Sequence, residues 1–252
     1  MTIQDMPATA TDLEWAPLSA TIARVSALDS LLAAEVLPAP EAGWLRVGDL
    51  LAPASEPAWF EEVLGQIMAH YALRERRTAA MFFLGSYAWY VTASAIASYL
   101  TDRRVPSIAA EDVAIRFGVG GDEPQIKVGL LAPGFAVLPD DPAADAGMVT
   151  ICANLHDLRE HLRNQIEAHM QAVITFLSAQ VRLGQRAQWN MVADTCAEIC
   201  LWIGHQLGDQ ERACAEAITL IKTPGSPMRP SPTQYLTLAV GERCETFRMR
   251  GS

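Results

Sequence analysis

Acidic and imidazole side chains recur between residues 156 and 169, where their spacing could support metal chemistry. The stripe consists of His156, Asp157, Glu160, His161, Arg163, Asn164, Glu167 and His169. On a helix, Asp157 and His161 lie one turn apart, as do Glu160 and Asn164. Metal-binding helix bundles use Glu-x-x-His pairs, but here Arg163 stands where that histidine would be. The stripe therefore indicates either a metal site, for example of a helical metal-dependent oxygenase, or a solvated helix face.

The cysteines offer a second possible chemistry. There are five of them: Cys152, Cys196, Cys200, Cys214 and Cys244. Their odd number and wide spacing do not resemble a secreted disulfide framework and favour reduced thiols. Cys196 and Cys200 share one helical face and could bind a metal together with Cys214 or Cys244. Buried thiols in an apolar helix explain the same spacing.

Other chemical signals are weaker. Trp189 and Trp202 fall near the two ends of one predicted helix, where each could pack in the core or form the wall of a ligand cleft. The glycines of residues 118–121 resemble a phosphate loop, but they connect two predicted strands and so indicate a hairpin turn. The chain has no P-loop and no His-Glu-x-x-His motif.

The composition restricts the class of protein. Half of the 252 residues are apolar and only 19% are charged, which excludes a disordered chain. The formal net charge of −10 argues against a nucleic-acid partner, because phosphate binding requires a basic face. Residues 1–11 contain no Lys or Arg and no apolar run of signal length, so we expect a cytoplasmic protein.

Three helices are predicted in the first part of the chain. Apolar residues at helical spacing indicate one helix over residues 13–36, and a second begins at Glu56-Pro57. The third spans residues 78–101, which contain no charged residue and are long enough to cross a bilayer. Its serines and mid-segment aromatic residues favour a buried central helix over a membrane span. Its charged flanks, residues 74–77 and 102–104, are expected to emerge into water.

The rest of the chain predicts a hairpin followed by more helices. Apolar residues alternate over residues 113–117 and 126–130, as in a β-hairpin or small meander. Helices are predicted over residues 155–183, 185–207 and 209–221, then an extended proline-rich connection over residues 223–232 and a terminal strand. The fold class is therefore α+β and mostly α-helical, with two helical halves separated by a small antiparallel β-hairpin or meander.

The predicted parts divide the sequence into three segments. These are an N-terminal helical part (1–110), the hairpin or meander (111–140) and a C-terminal helical part ending in an extended strand (141–252). We expect them to form one compact domain, because 252 residues are within the range of a single large domain.

Three stretches resemble the FhuF-like family of ferric-siderophore reductases, whose fold is shared by the C-terminal domain of aerobactin-type siderophore synthetases. Residues 102–117 are similar to the family passage that follows the central helix. Residues 169–174 are similar to the pattern His-Leu-x-Pro-Leu-Ile, with Ala172 in place of proline. Residues 188–193 are similar to Leu-Trp-Gly-Asn-Val-Ala. The resemblance covers roughly residues 70–250.

The resemblance implies reduction of ferric iron held by a siderophore. Hydroxamate and catecholate oxygens bind Fe(III) strongly and Fe(II) weakly, so one electron is enough to release the metal. In the family a [2Fe-2S] cluster carries the electron, and a ferredoxin- or flavin-type donor is the implied partner. Its four cysteine ligands lie in a C-terminal segment that directly follows an Arg-rich strand. Residues 244–252 resemble the strand before that segment, so this chain as given is expected to lack the cluster.

These comparisons lead to three hypotheses. The first is a ferric-siderophore reductase, which is an oxidoreductase, or the substrate-binding part of such an enzyme. Its cleft would lie between residues 155–207 and the hairpin. The second is a non-redox siderophore-binding or biosynthetic accessory protein on the same fold, and the third is the metal-dependent oxygenase. For the first, the candidate substrate-binding residues are Glu167, His169, Trp189, Asn190, Arg248 and Arg250. The two arginines could attract an anionic ferric complex or an electron donor, or could lie on a solvated strand edge.

Overall fold

The computed structural model describes residues 10–32, 34–39, 41–52, 58–118, 125–240 and 243–250. Within these residues the chain forms seven α-helices: α1 (Ala10–Leu28), α2 (Val47–Leu50), α3 (Ala58–His70), α4 (Arg76–Asp102), α5 (Leu155–Gln180), α6 (Gln185–Leu207) and α7 (Gln210–Lys222). The strands are β1 (Glu35–Val36), β2 (Leu45–Arg46), β3 (Val105–Pro106), β4 (Val113–Gly118), β5 (Gln125–Leu130), β6 (Phe135–Val137), β7 (Val149–Ile151), β8 (Thr233–Val240) and β9 (Arg243–Arg250). The predicted α+β, mostly helical class is confirmed.

The long uncharged segment forms α4, which packs against α1, α3, α5 and α6. Its residues from Val91 to Leu100 are all buried, and many are alanine or serine, which allow close approach of neighbouring helices. By length and composition α4 could cross a membrane, but 67% of its most apolar stretch is buried inside the protein. The flank after α4 does not emerge fully into water, because Arg104 is buried and bound by an ion pair with Asp141.

The first helix is shorter than its apolar spacing predicts. It ends at Leu28 instead of continuing to Val36. The Asp29 carboxylate accepts a hydrogen bond from the Leu31 backbone N–H (2.8 Å) and begins a short 3-10 turn. Glu35 and Val36 then pair in parallel with β5. Side-chain capping by Asp29 and strand pairing with a distant segment therefore override the helical periodicity.

The predicted hairpin is present. Strands β4 and β5 pair in antiparallel register from Val113–Leu130 to Gly118–Gln125, and the turn predicted between them lies outside the described residues. With β1 and β2 they form a four-stranded sheet. Strand β6 does not continue this sheet as a meander would, since it pairs with β3 and β7 in a second, separate sheet.

The three helices predicted after residue 150 are confirmed to within about three residues at their ends. Asn154 caps the start of α5 by accepting from the Asp157 N–H (3.0 Å), and Asp209 caps α7 in the same way through Arg212. Gly208 ends α6 with a left-handed conformation at φ +67°, which glycine adopts without strain.

The connection after α7 differs from its predicted extended form. It contains successive turns, in which the N–H groups of Ser226, Arg229 and Ser231 donate to carbonyl oxygens three residues earlier. Met228 is fully buried at its centre. The prolines remove their own donors, but the residues between them supply enough N–H groups to fold the segment back on itself. The predicted terminal strand follows as β8, which pairs with β9 along its whole length.

Helices α6 and α7 approach each other closely at Gly204 of α6. A Cβ atom there would lie 2.7 Å from the Cβ of Ala213 and 2.9 Å from the Cα of Gln210 on α7. We expect Gly204→Ala to lower the free energy of unfolding by about 2 kcal/mol in urea titrations, because the helices must separate.

Two further variants make this prediction specific. Ala213→Gly in the same chain should restore only part of the loss, because the Gln210 backbone remains in the way. Gly65→Ala, in the interior of α3 with open space around it, should instead be neutral or stabilise by about 0.5–1 kcal/mol. Equal destabilisation at both glycines would contradict the role of close packing.

Candidate functional site

A cleft of about 470 Å³ opens between α4, α6 and β9. Its size is within the range of pockets that hold small molecules. The residues that line it are Gly85, Ser86, Trp89, Tyr90, Met191, Asp194, Thr195, Glu198 and Arg248. The lining combines aromatic rings, hydroxyl groups and charged groups, so the cleft can bind a ligand that is partly apolar and partly polar.

The aromatic wall of the cleft comes from α4. Trp89 and Tyr90 are half-buried, and the ring of Trp202 on α6 packs edge-on against Trp89 with 6.3 Å between ring centroids. The indole N–H of Trp202 donates to the Asp29 carboxylate (3.0 Å), at the corner after α1. These contacts fix the orientation of Trp89 before any ligand binds.

The charged end of the cleft is formed by α6 and β9. The guanidinium of Arg248 donates to Glu198 (2.5 Å) and lies 3.7 Å from Asp194. Asp194 is buried and also accepts a hydrogen bond from the Thr233 hydroxyl. Two carboxylates and one guanidinium therefore give this end a formal excess of one negative charge. Arg248 is neutralised by its neighbours and does not present a free positive charge to an anionic ligand.

Of the residues predicted to bind substrate, Arg248 lines the cleft. Trp189 is buried at the start of α6, and Asn190 is half-buried beside Met191, which is the lining residue of that turn. Arg250 lies at the end of β9, and its side chain is outside the described part of the structure. This cleft differs from the predicted one: α4, α6 and β9 line it, and no residue of α5 or of the β4–β5 hairpin does.

His169 is used inside the fold. Its Nδ1 is 2.6 Å from the Ile108 carbonyl oxygen, which can only accept, so Nδ1 carries the proton. Its Nε2 then accepts from the Tyr87 hydroxyl at 2.7 Å. Burial lowers the pKa of His169 to about 4, even though the Ile108 carbonyl and the Glu111 charge act in the opposite direction. The imidazole is therefore neutral and connects α5 to α4.

Glu167 belongs to the acidic stripe on α5, in which Arg163 lies between two carboxylates. Arg163 donates to Glu160 (2.5 Å) and to Glu167 (2.9 Å), and Gln165 forms a hydrogen bond with His161 (2.8 Å). In the described residues, no three His, Cys, Asp or Glu side chains come together in a group that could hold a metal ion. The residues from Glu160 to Glu167 thus form ion pairs along a half-buried helix face, which is neither a metal site within the described residues nor the solvated face that was the alternative.

The cysteines do not suit the [2Fe-2S] cluster that the resemblance implies. Cys152, Cys196, Cys200 and Cys214 are buried free thiols. Burial raises the pKa of Cys196 to about 12 and that of Cys200 well above its usual value. A [2Fe-2S] cluster needs four thiolates around one centre, and the described cysteines do not converge in such a group. The Cys244 side chain lies outside the described part of the structure.

Sequence reasoning did not select most of the lining residues, although two signals were available. Ser86, Trp89 and Tyr90 are spaced three and four apart in an otherwise apolar helix, which places them on one face. Asp194 and Glu198 are likewise four apart on an apolar helix. Each pattern indicates a polar face on a core helix, but neither predicts that the two faces meet.

Comparison with known proteins adds no assignment to these observations. No family model, no curated protein and no solved structure matches this chain. The cleft between α4, α6 and β9 is accordingly interpreted from its own residues.

Proposed function

We propose that this protein binds a ferric siderophore in the cleft between α4, α6 and β9 and supports reductive release of the iron. The observation that carries the proposal is the cleft itself, in which an aromatic wall faces hydroxyl and carboxylate groups. A siderophore combines alkyl arms with oxygen-rich chelating groups. Trp89 and Tyr90 can contact the arms, while Ser86 and Thr195 can form hydrogen bonds with amide or chelating oxygens.

The charge of the cleft favours one class of ferric complex. Asp194 and Glu198 outweigh Arg248 by one negative charge, so an anionic tris-catecholate complex would be repelled. Neutral or cationic complexes, such as ferric hydroxamates, would not be. The ligand we propose is therefore a ferric hydroxamate.

Iron release then requires one electron. The ferric complex accepts it from a ferredoxin- or flavin-type donor, which is oxidised by one electron, and Fe(II) dissociates from the hard oxygen ligands. The residues of this chain bind and orient the complex in this scheme. We assign the electron transfer to none of the described groups of this chain, because the buried cysteines do not suit an iron–sulfur cluster.

The same observation about the cysteines favours one alternative, a non-redox siderophore-binding or biosynthetic accessory protein that uses the same cleft. The two functions differ in a kinetic measurement. If the chain supports reduction, it should accelerate Fe(II) release from the ferric hydroxamate by a reduced flavin or ferredoxin, followed with an Fe(II) chelator. Tight binding with an unchanged release rate would identify the accessory function.

Binding itself is tested by equilibrium dialysis against ferric trihydroxamate, followed by its visible ligand-to-iron absorption band. We expect saturation at one complex per chain. Trp89→Ala should weaken binding about tenfold, since loss of an aromatic contact of about 1.4 kcal/mol corresponds to that factor.

The matched control is Phe247→Ala. Phe247 precedes Arg248 on β9, is 41% exposed, and points to the opposite face of the hairpin. It should leave the affinity unchanged. If wild-type protein does not bind, or if both variants lose affinity equally, the cleft is not the binding site.

A further inference from the structure

A narrow apolar slot of about 20 Å³ lies next to the cleft, between α3, α4 and the β4–β5 hairpin. Its walls are aliphatic and aromatic side chains: Val63, Ile67, Phe83, Phe117 and Ile126. None of the described residues that line it is charged. Ser86 lines both the slot and the cleft, so a ligand group bound beside Ser86 can extend from one space into the other.

The size of the slot limits what can enter it. About 20 Å³ is room for one water-sized group, whereas the cleft has about 470 Å³. A water molecule in the slot would need about two to four polar partners, which these aliphatic and aromatic walls do not supply. A methyl or ethyl group matches both the size and the apolar lining of the slot.

The inner wall of the slot is held in place by a cluster of aromatic rings. Phe83 packs against Phe60 and Trp59, with 5.4 and 6.1 Å between ring centroids. Phe117 stacks on Trp59 at 5.8 Å. Phe60 and Phe83 are almost completely buried, and a close-packed cluster of this kind cannot separate without losing its own contacts. The slot therefore does not lengthen to take a longer chain.

The mouth of the slot is formed by side chains that are less buried. Tyr71 and Phe82 both line the slot, and they are 40% and 42% exposed. Their rings contact each other, with 4.8 Å between centroids. Removal of the Phe82 ring would therefore widen the slot at the surface of the protein and leave the buried aromatic cluster in place.

We infer that the slot is a subsite for the terminal acyl group of the hydroxamate ligand and selects a short one, with a methyl or ethyl group on the carbonyl carbon. This inference rests on the proposed function and names the class of siderophore. In a hydroxamate, this alkyl group is bonded directly to the carbonyl carbon whose oxygen binds iron. A chelating oxygen that accepts a hydrogen bond from the Ser86 hydroxyl therefore brings the alkyl group to the slot.

The test compares three linear ferric trihydroxamates that differ only in the terminal acyl group, which is formyl, acetyl or pentanoyl. We expect wild-type protein to bind the acetyl complex about fourfold more tightly than the formyl complex in calorimetric titrations, the usual contribution of one more buried carbon. The pentanoyl chain is too long to enter the slot and loses this contribution. Its complex should therefore bind about fourfold more weakly than the acetyl complex.

Phe82→Ala widens the mouth of the slot and should reverse this order, so that the pentanoyl complex binds more tightly than the acetyl complex. Phe247→Ala is the matched control, because Phe247 is 41% exposed but lines neither the slot nor the cleft. It should keep the wild-type order. Circular dichroism and thermal unfolding establish that the variants are folded. Val63→Ala, which enlarges the slot from α3, provides the same test if Phe82→Ala does not fold.

Failure of this inference is distinct from failure of the proposed function. If wild-type protein binds all three complexes with equal affinity, or if Phe82→Ala keeps the wild-type order, the subsite is refuted while siderophore binding stands. If none of the three complexes binds, the proposed function fails and the subsite fails with it.

Discussion

Replacing Arg104 with methionine is expected to lower the free energy of unfolding by about 3–5 kcal/mol, the usual result of leaving one partner of a buried ion pair alone. The guanidinium donates to both carboxylate oxygens of Asp141 (2.8 and 2.7 Å), and both side chains are about nine-tenths buried. It also donates to the Thr21 hydroxyl and the Pro17 carbonyl of α1. Methionine fills the space of the stem but supplies none of these donors.

Urea denaturation measures this loss, and two variants check its cause. Arg24→Met removes a pair with Asp102 in which the arginine is 52% exposed, so it should cost no more than about 1 kcal/mol. Adding Asp141→Leu to Arg104→Met should recover stability, because no buried carboxylate is then left unpaired. A loss below about 1 kcal/mol for Arg104→Met would show that water reaches the pair.

The same ion pair has a pH dependence. Burial acts to raise the pKa of Asp141, but hydrogen bonds from Arg104 and the Ala143 backbone outweigh it, and the pKa is lowered. A carboxylate whose pKa is lowered in the folded state stabilises the fold at pH values above its unfolded-state pKa of about 3.9. That stability is lost as the pH falls below this pKa. Arg104→Met should therefore reduce the loss of stability below about pH 4.

The second large effect is expected at His169, at a higher pH. Because burial lowers its folded-state pKa to about 4, the unfolded chain binds a proton more readily below about pH 6.5. The stability contributed by the neutral imidazole is complete above about pH 6.5 and is lost as the pH falls towards 4. The loss amounts to about 3 kcal/mol.

Stability measured between about pH 7 and pH 4.5 tests this prediction. His169→Phe keeps an aromatic ring but leaves the Tyr87 hydroxyl and the Ile108 carbonyl without partners, which should cost about 2–3 kcal/mol at neutral pH. It should also remove most of the dependence on pH in this interval. His156→Phe, at an exposed position on α5, should keep the full dependence. If the pH dependence persists in His169→Phe, another titratable group must cause it.

The elements that sequence predicted well are those with long periodic patterns and local end signals. Helices α5, α6 and α7 follow the predicted ranges because Asn154, Gly208 and Asp209 set their ends through local hydrogen bonds and backbone conformation. The β4–β5 hairpin follows from alternation alone. Where prediction was wrong, at the end of α1 and after α7, a side-chain cap or a series of turns changed the path of the chain.

The candidate site was predicted only in part. Arg248 was selected as a basic residue on a strand, and it does line the cleft, but its two acidic partners are on α6. Its role as an attractor of anions could not be judged from sequence, because the charge of a site is the sum of groups distant in the chain. For His169, likewise, the sequence did not reveal that both ring nitrogens form hydrogen bonds inside the fold. One bonds to the Tyr87 hydroxyl on α4 and the other to the Ile108 carbonyl before β4.

Sequence was sufficient to predict the long helices, the β4–β5 hairpin, the mostly helical class and the burial of the uncharged helix, because these depend on propensity, periodicity and short-range hydrogen bonds. Which polar groups are buried in pairs, and where the cleft lies, depends on contacts between segments that are far apart in the chain. Ser86, Asp194 and Arg248 are up to 162 residues apart and meet through the packing of α4, α6 and β9. Periodicity identifies the face that a residue occupies, but the partner of that face is set by the packing of the whole chain.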